Sequence, residues 1–281
     1  MLKRTKIRDL TTAWLEEGPP NVEGDVFLFL HGCPDTPFTW KHQLDRFSTS
    51  ARCIAPFARG IGESEGSRDS KRYSLDAIAL DHLEILRESG ESRDQSIIVV
   101  GHDLGGPQAW NIAHLLGRRL KALITINGPA AYQMAHRAKN LRQLAKSWYA
   151  GFFQIPVISD SLIRWKEKDL IRLSHRVGEK ALVEENASIV KFLPQYREGF
   201  KTLVRIYPAK PAKIEAPVLV LAGSRDPFLE LPKADELKPL ASQVTIRVLE
   251  GGHWIHESMP KKVNQLIEGF LGKIKEKKDE A

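Results

Sequence analysis

The sequence predicts an α/β fold: a mostly parallel, doubly wound sheet with a helical cap inserted into it. Three observations carry this. Short, continuously apolar runs recur along the 281 residues, stretches with helical periodicity lie between them, and about 80 residues from position 131 contain helix-like sequence alone.

The apolar runs are DVFLFL (25–30), RCIAPF (52–57), SIIVV (96–100), LKALITIN (120–127), APVLVLAG (216–223) and QVTIRVLE (243–250). Continuous rather than alternating apolarity is the mark of strands buried on both faces of a parallel sheet. Between them, SLDAIALDHLEILRESG (74–90) sets Leu75, Ile78, Leu83 and Leu86 on one helical face and ends at Gly90, a natural C-cap residue. MPKKVNQLIEGFLGKI (259–274) repeats the pattern with Val263, Leu266, Ile267 and Phe270. Strands alternating with helices predict a doubly wound core. The alternation breaks after Gly128-Pro129, where LRQLAKSWYAGFFQ, SLIRWKEKDLIRLSH and KFLPQYREGFKTLVRIY are aromatic, basic and helix-like. Residues 131–208 are therefore expected to form the cap, and 1–130 with 209–281 the core.

Composition narrows the function classes. Apolar residues make up 42% of the chain, enough for a large core, and no run approaches the 18 apolar residues of a membrane span. The N-terminus is basic but has no apolar segment behind it, which argues against a secretory signal. Cys33 and Cys53 are too few for a disulfide framework, so a cytoplasmic location is expected. The net charge of +7 is uneven: residues 131–210 hold 15 Lys/Arg against 7 Asp/Glu, and the remainder 27 against 28. These cations are scattered singly among apolar residues, which reads as a solvated basic face and not as a nucleic-acid site. The tail KIKEKKDEA is expected to be a frayed, solvated end.

The run at 96–100 leads into Gly101-His102-Asp103-Leu104-Gly105-Gly106. This is the outline of a strand–turn–helix nucleophile elbow, G-x-S-x-G, with aspartate in place of serine. Glycines on both sides make room for an exposed central residue, which helix capping by Asp103 alone would not require. A literal G-x-S-x-G does occur at Gly62-Glu63-Ser64-Glu65-Gly66, but no apolar strand enters it. An acid and a base should follow in chain order after later strands. Asp226 follows the run at 216–223, and His253 follows the last run behind Gly251-Gly252. His102 and His256 are weaker candidates for the base. His31-Gly32-Cys33-Pro34, directly after an early strand, can aim the Cys33 backbone N–H at the site to pair with that of Leu104. No histidine or cysteine spacing suggests zinc, and no metal or cofactor is expected.

These residues resemble the α/β-hydrolase fold and, within it, the branch of epoxide hydrolases and of haloalkane or haloacid dehalogenases. The resemblance covers about residues 12–272. HGCPDTPFTWKHQL looks like the H-G-x-P loop of epoxide hydrolases, GHDLGG like their nucleophile turn, and ARGIGES like their R-G-x-G-x-S loop, which also accounts for the serine motif. SWYAGFFQIP and LPQYREGF are similar to the cap segments that carry two ring-opening tyrosines, and so point to Tyr149 and Tyr196. Tyr132 and Tyr207, near the cap boundaries, read as packing residues. The residue after the nucleophile is usually Trp, a halide-binding group in haloalkane dehalogenases, or Arg in fluoroacetate dehalogenases; here it is Leu104.

The chemistry follows from the residue types. Aspartate, with an ordinary pKa of about 3.9, is ionised at neutral pH and needs no base to attack a saturated carbon. Attack yields an alkyl ester on Asp103, which water activated by His253 and Asp226 would hydrolyse. Cys33 and Leu104 would hold the oxyanion, each donor worth about 2.7–4 kcal/mol. An epoxide leaves as an alkoxide and needs acids opposite the nucleophile, a role for Tyr149 and Tyr196; a halide does not. His31, Pro34, Trp148, Phe152 and Trp254 are expected to line the pocket. The expectation is an epoxide hydrolase acting as monomer or homodimer on a small lipophilic epoxide and water. A dehalogenase with the same triad and a non-catalytic ligand receptor are the alternatives.

Overall fold

Each strand expected from the apolar runs forms, and all but the last are covered on both faces. In β3 (Val26–Leu30), Val26, Leu28 and Leu30 face one hydrophobic layer while Phe27 and Phe29 face the other. The computed structural model describes residues 1–19, 24–90, 94–181, 186–206 and 212–279; Tyr207 and the expected cap boundary at 208 fall outside them. The sheet comprises β1 (Leu2–Ile7), β2 (Leu10–Glu17), β3, β4 (Arg52–Pro56), β5 (Ile97–His102), β6 (Leu120–Ile126), β7 (Val218–Gly223) and β8 (Val244–Leu249). Its order is β1-β2-β4-β3-β5-β6-β7-β8, antiparallel at β1/β2 and β2/β4 and parallel elsewhere.

Helices α1 (Lys41–Phe47), α2 (Leu75–Glu88) and α3 (Gly105–Leu116) follow β3, β4 and β5. Ser74 caps α2 by accepting from the Ala77 N–H at 3.3 Å, and the chain leaves the helix through Gly90 at φ +80°. Ile78, Ile85 and Leu86 of α2 join α3 on one face of the sheet. Leu44 and Phe47 of α1 cover the other face together with Val263 and Ile267 of the last helix. Between β6 and β7 the chain forms α4 (Ala131–Arg137), α5 (Leu141–Lys146), α6 (Trp148–Phe152), α7 (Ile158–Val177) and α8 (Leu193–Ile206), with no strand among the described residues. Short helices α9 (Ala234–Leu237) and α10 (Ile255–Ser258) precede α11 (Pro260–Asp279).

Three details depart from the sequence reading. The N-terminal residues form a β1–β2 hairpin through Arg8 and Asp9, at φ +49° and +69°, as a two-residue primed turn requires. No Asn-Gly or Asp-Gly marks that turn. β8 is an edge strand and is only partly covered: Leu249 is buried, Val244, Thr245 and Ile246 are half-buried, and Arg247 and Val248 are exposed, Val248 at 48%. The expected frayed tail is helical as far as Asp279, as a continuation of α11.

The fold places a crevice where the site must lie. From β3 the chain passes to β4 on one side, and β5 then pairs with β3 on the other. The C-terminal ends of β3 and β5 are therefore the topological switch point of the sheet, and their loops diverge around an opening.

Candidate active site

Asp103 stands at that opening on the turn from β5 to α3, with φ +50°. The left-handed conformation costs a residue with a Cβ about 1–2 kcal/mol. Two backbone bonds hold it: the Asp103 N–H donates to Asn127 O at 3.2 Å, and the Gly106 N–H donates to Asp103 O at 2.9 Å. The flanking glycines are there for space. A Cβ on Gly101 would lie 2.4 Å from Gly105 O, and one on Gly105 would lie 2.1 Å from Leu30 O.

The other site residues arrive on loops that follow three other strands of the sheet. After β3, the Cys33 N–H donates to Asp103 Oδ1 at 2.9 Å. After β8, His253 Nε2 lies 3.4 Å from Asp103 Oδ2. After β7, Asp226 Oδ2 receives His253 Nδ1 at 2.7 Å, while its Oδ1 accepts from the Phe228 and Leu229 N–H groups at 2.7 and 3.1 Å. Both carboxylates thus grip one imidazole, and each uses its second oxygen on backbone donors. Leu104 precedes the first turn of α3, where backbone N–H groups have no helical partner.

The electrostatics follow from this grouping. Burial works against a charged His253, but the Asp226 charge and the hydrogen bonds to Asp103 and Asp226 raise its pKa to about 10. Burial would likewise raise the Asp103 carboxyl, yet the His253 hydrogen bond and charge, helped by the Cys33 N–H, hold it below the usual range. The resting pair is a carboxylate facing an imidazolium.

Residues from the helices between β6 and β7 close the opposite side. Tyr149 on α6 and Tyr196 on α8 meet edge to face, with ring centroids 6.2 Å apart. Enclosure, reinforced by the Asp103 charge, pushes both phenols well above their ordinary pKa, so both are protonated. With Asp103 and His253 they border an apolar cavity of about 700 Å³, also lined by Pro34, Trp148, Phe152 and Trp254. A smaller cavity of about 130 Å³ lies on the far side of the tyrosine pair, against Leu104.

Of the residues expected at the pocket, His31 does not reach either cavity. Its ring is held inside the loop, Nε2 accepting from the Ala58 N–H at 3.0 Å and Nδ1 lying 3.1 Å from Gly32 O, and burial lowers its pKa to about 4. It shapes the Cys33 turn from behind. His102 and His256 are also buried, stacked behind His253, and His102 Nε2 bonds His253 O at 3.1 Å. Ser64 of the serine motif is a strut: it accepts from the Ala13 N–H and donates to Phe57 O, both at 3.0 Å. Tyr132 packs against the core.

Two supports had no signal in the sequence. Asn127, at the end of β6, ties three strand ends together: its Nδ2 donates to Gly252 O and His253 O at 3.1 and 2.6 Å, and its Oδ1 accepts from the Gly223 N–H at 2.9 Å. Lys180, just past α7, is buried between Asp35 at 2.8 Å and Glu257 at 2.5 Å, and Asp35 also accepts the Trp254 indole N–H at 2.7 Å. Two residues earlier, Gly178 O accepts the His253 N–H at 2.8 Å. One short segment thus braces both the Cys33 loop and the histidine loop. A lone Lys among many basic residues announces nothing until its partners are brought to it.

The profile of the alpha/beta hydrolase family matches residues 27–266. Epoxide hydrolase 4 of Mus musculus is 31% identical over 284 residues, covering 91% of this chain and 74% of the relative; its Homo sapiens counterpart is 31% identical over 290 residues, covering 94% and 75%. Among solved structures, a variant epoxide hydrolase from Bacillus megaterium with its bound product, (R)-3-[1]naphthyloxy-propane-1,2-diol, superposes with a TM-score of 0.82. It is 25% identical, and the match covers 96% of this chain and 100% of that one.

Proposed function

Because the chain belongs to the α/β-hydrolase family, in its epoxide hydrolase branch, we propose that it hydrolyses a small lipophilic epoxide to a vicinal diol. The reaction runs through an ester on Asp103, with the helical segment 131–208 as the cap over the site. The observation that carries this reading is the opposition across one cavity of an ionised carboxylate and two protonated phenols.

Asp103 Oδ2 attacks a ring carbon, the carbon–oxygen bond of the epoxide breaks, and the departing alkoxide takes a proton from Tyr149 or Tyr196. Neutral phenols suit this because they hold their proton until an alkoxide, a much stronger base, forms beside them. A halide would leave without them. Water then attacks the ester carbonyl carbon and gives its proton to His253 Nε2, while Asp226 keeps the ring oriented. The oxyanion forms on Oδ1, the oxygen bonded by the Cys33 N–H, with the Leu104 N–H as second donor. The imidazolium proton that His253 sheds on alkylation re-forms the phenol left by the first step; collapse of the adduct then releases the diol and restores the Asp103 carboxylate, and the proton taken from water regenerates the resting imidazolium.

Alkylation also explains how one histidine can rest as imidazolium and later act as base. Esterification removes the Asp103 charge, one of the two that hold the ring protonated. No metal or cofactor enters the cycle. The free thiols of Cys33 and Cys53 suit the cytoplasmic location proposed for it.

The test is to mix His253→Gln with styrene oxide and aliphatic epoxides. One added substrate mass on the peptide containing Asp103 is expected, and the parental protein should yield diol. Halide release from haloalkanes without epoxide turnover, or saturable ligand binding without any chemistry, would overturn the reading.

A further inference from the structure

The surface of the cap segment is unusually apolar for one that also carries an excess of positive charge. Ten of the eighteen large apolar side chains exposed among the described residues fall between positions 141 and 177. Trp148 is 69% exposed, Val157 75%, Ile158 61% and Trp165 73%. On α7, Ile158, Leu162, Trp165 and Leu173 recur at helical spacing and form one stripe. Exposed indoles on a continuous patch are not what a freely solvated face carries.

Two further observations say what covers it. The stripe runs into the mouth of the large cavity: Trp148, Leu162, Leu173 and Val177 are exposed and also line that cavity. The rim through which a ligand enters is therefore itself apolar. Around it the charge is positive. Arg164, Lys168, Arg172 and Arg176 of α7 are exposed, Lys166 sits 4.3 Å from the Trp165 ring centroid, and Asp169 lies within 4 Å of both Lys166 and Arg172. Residues 131–210 carry 15 cations against 7 acids. A second copy of the chain on this face would set two basic surfaces against each other, which opposes self-association there.

Tryptophan and aliphatic side chains flanked by Lys and Arg match the interface of an anionic bilayer: indoles settle at headgroup depth and cations meet lipid phosphates. We propose that the face around Trp165 docks onto anionic lipid bilayers and seats the mouth of the cavity on the membrane. No helix among the described residues is long and apolar enough to cross a bilayer, so the contact is peripheral. Entry of a lipophilic epoxide from the lipid rests on the function proposed above; the docking itself does not.

The test pellets the full chain with sucrose-loaded vesicles of phosphatidylcholine alone or with about a third phosphatidylserine. Trp165→Ser with Ile158→Ser, and Arg172→Glu with Arg176→Glu, are compared with the parent. None of these four residues lines a cavity. Circular dichroism and alkylation by a water-soluble epoxide, both unchanged, are the controls. Binding should need the anionic lipid, fall at high salt, and weaken at least about tenfold in each variant. A parent that ignores anionic vesicles, or variants that bind as well as the parent, would overturn the proposal. So would a parental dimer in light scattering that Trp165→Ser dissociates, since the face would then be a subunit interface. Vesicle binding without epoxide turnover would leave docking standing and remove only the proposed reaction.

Discussion

Hydrolysis of the Asp103 ester should show a pH midpoint far below that of the resting histidine. In the free protein His253 is an acid of pKa about 10, and Asp103 Oδ2 lies 3.4 Å from its Nε2. Alkylation is the perturbation, since it turns that carboxylate into a neutral ester. A unit charge at 3.4 Å is worth about 5 kcal/mol at an effective dielectric of about 20. At 1.36 kcal/mol for each tenfold, its loss moves the titration down by about 3.5 pH units, into the neutral range. The sign is fixed by the base role: the neutral imidazole accepts the proton from water, so hydrolysis is fast above the midpoint and slows about tenfold per pH unit below it. The assay is a single turnover with protein in excess, acid-quenched at intervals, with the alkyl-enzyme quantified by mass between pH 5 and 9. A rate that is flat from pH 5 to 8, or one still rising with a midpoint near 10, would refute the reasoning. The first result would remove His253 as the base and the second the electrostatic link to Asp103.

Other outcomes follow from the same geometry. Asp103→Ala should form no adduct and no diol, whereas Asp226→Asn should still be alkylated but hydrolyse the ester about 10²–10⁴-fold more slowly in the same quench assay; near-normal turnover would mean the orienting acid lies elsewhere. Tyr149→Phe and Tyr196→Phe should each slow alkylation by epoxides within that same range, and the double variant should form no ester while keeping its circular dichroism spectrum; ring opening at the parental rate would reduce both tyrosines to packing residues. Lys180→Met strands two buried carboxylates and should cost about 3–5 kcal/mol. With an unfolding entropy of about 2.1 cal/mol/K for each of 281 residues, calorimetry should find the Tm lower by about 5–8 °C, and a shift below about 2 °C would refute the role assigned to the cluster.

The sequence by itself determined the sheet and singled out the proposed nucleophile. Strands β3 to β7 are covered on both faces, so apolar residues dominate each on both sides of the pleat and need no knowledge of neighbours to be read. The turn around Asp103 is equally local, because room for an exposed residue between a strand and a helix has to come from adjacent glycines. Asp226 and His253 were readable because each follows a strand within a few residues. What tertiary structure decided is whatever depends on partners distant in the chain. β1 alternates between exposed and covered residues, and its turn into β2 is unmarked; the half-exposed β8 follows from its place at the edge. The three histidines behind the site differ from His253 only in what surrounds them: none of His31, His102 and His256 is gripped by two carboxylates, and burial, helped by neighbouring cations, lowers their pKa. Lys180 meets Asp35 from 145 residues away, and Asn127 meets the histidine loop from 126 away, so their roles exist only once the fold has brought those segments together.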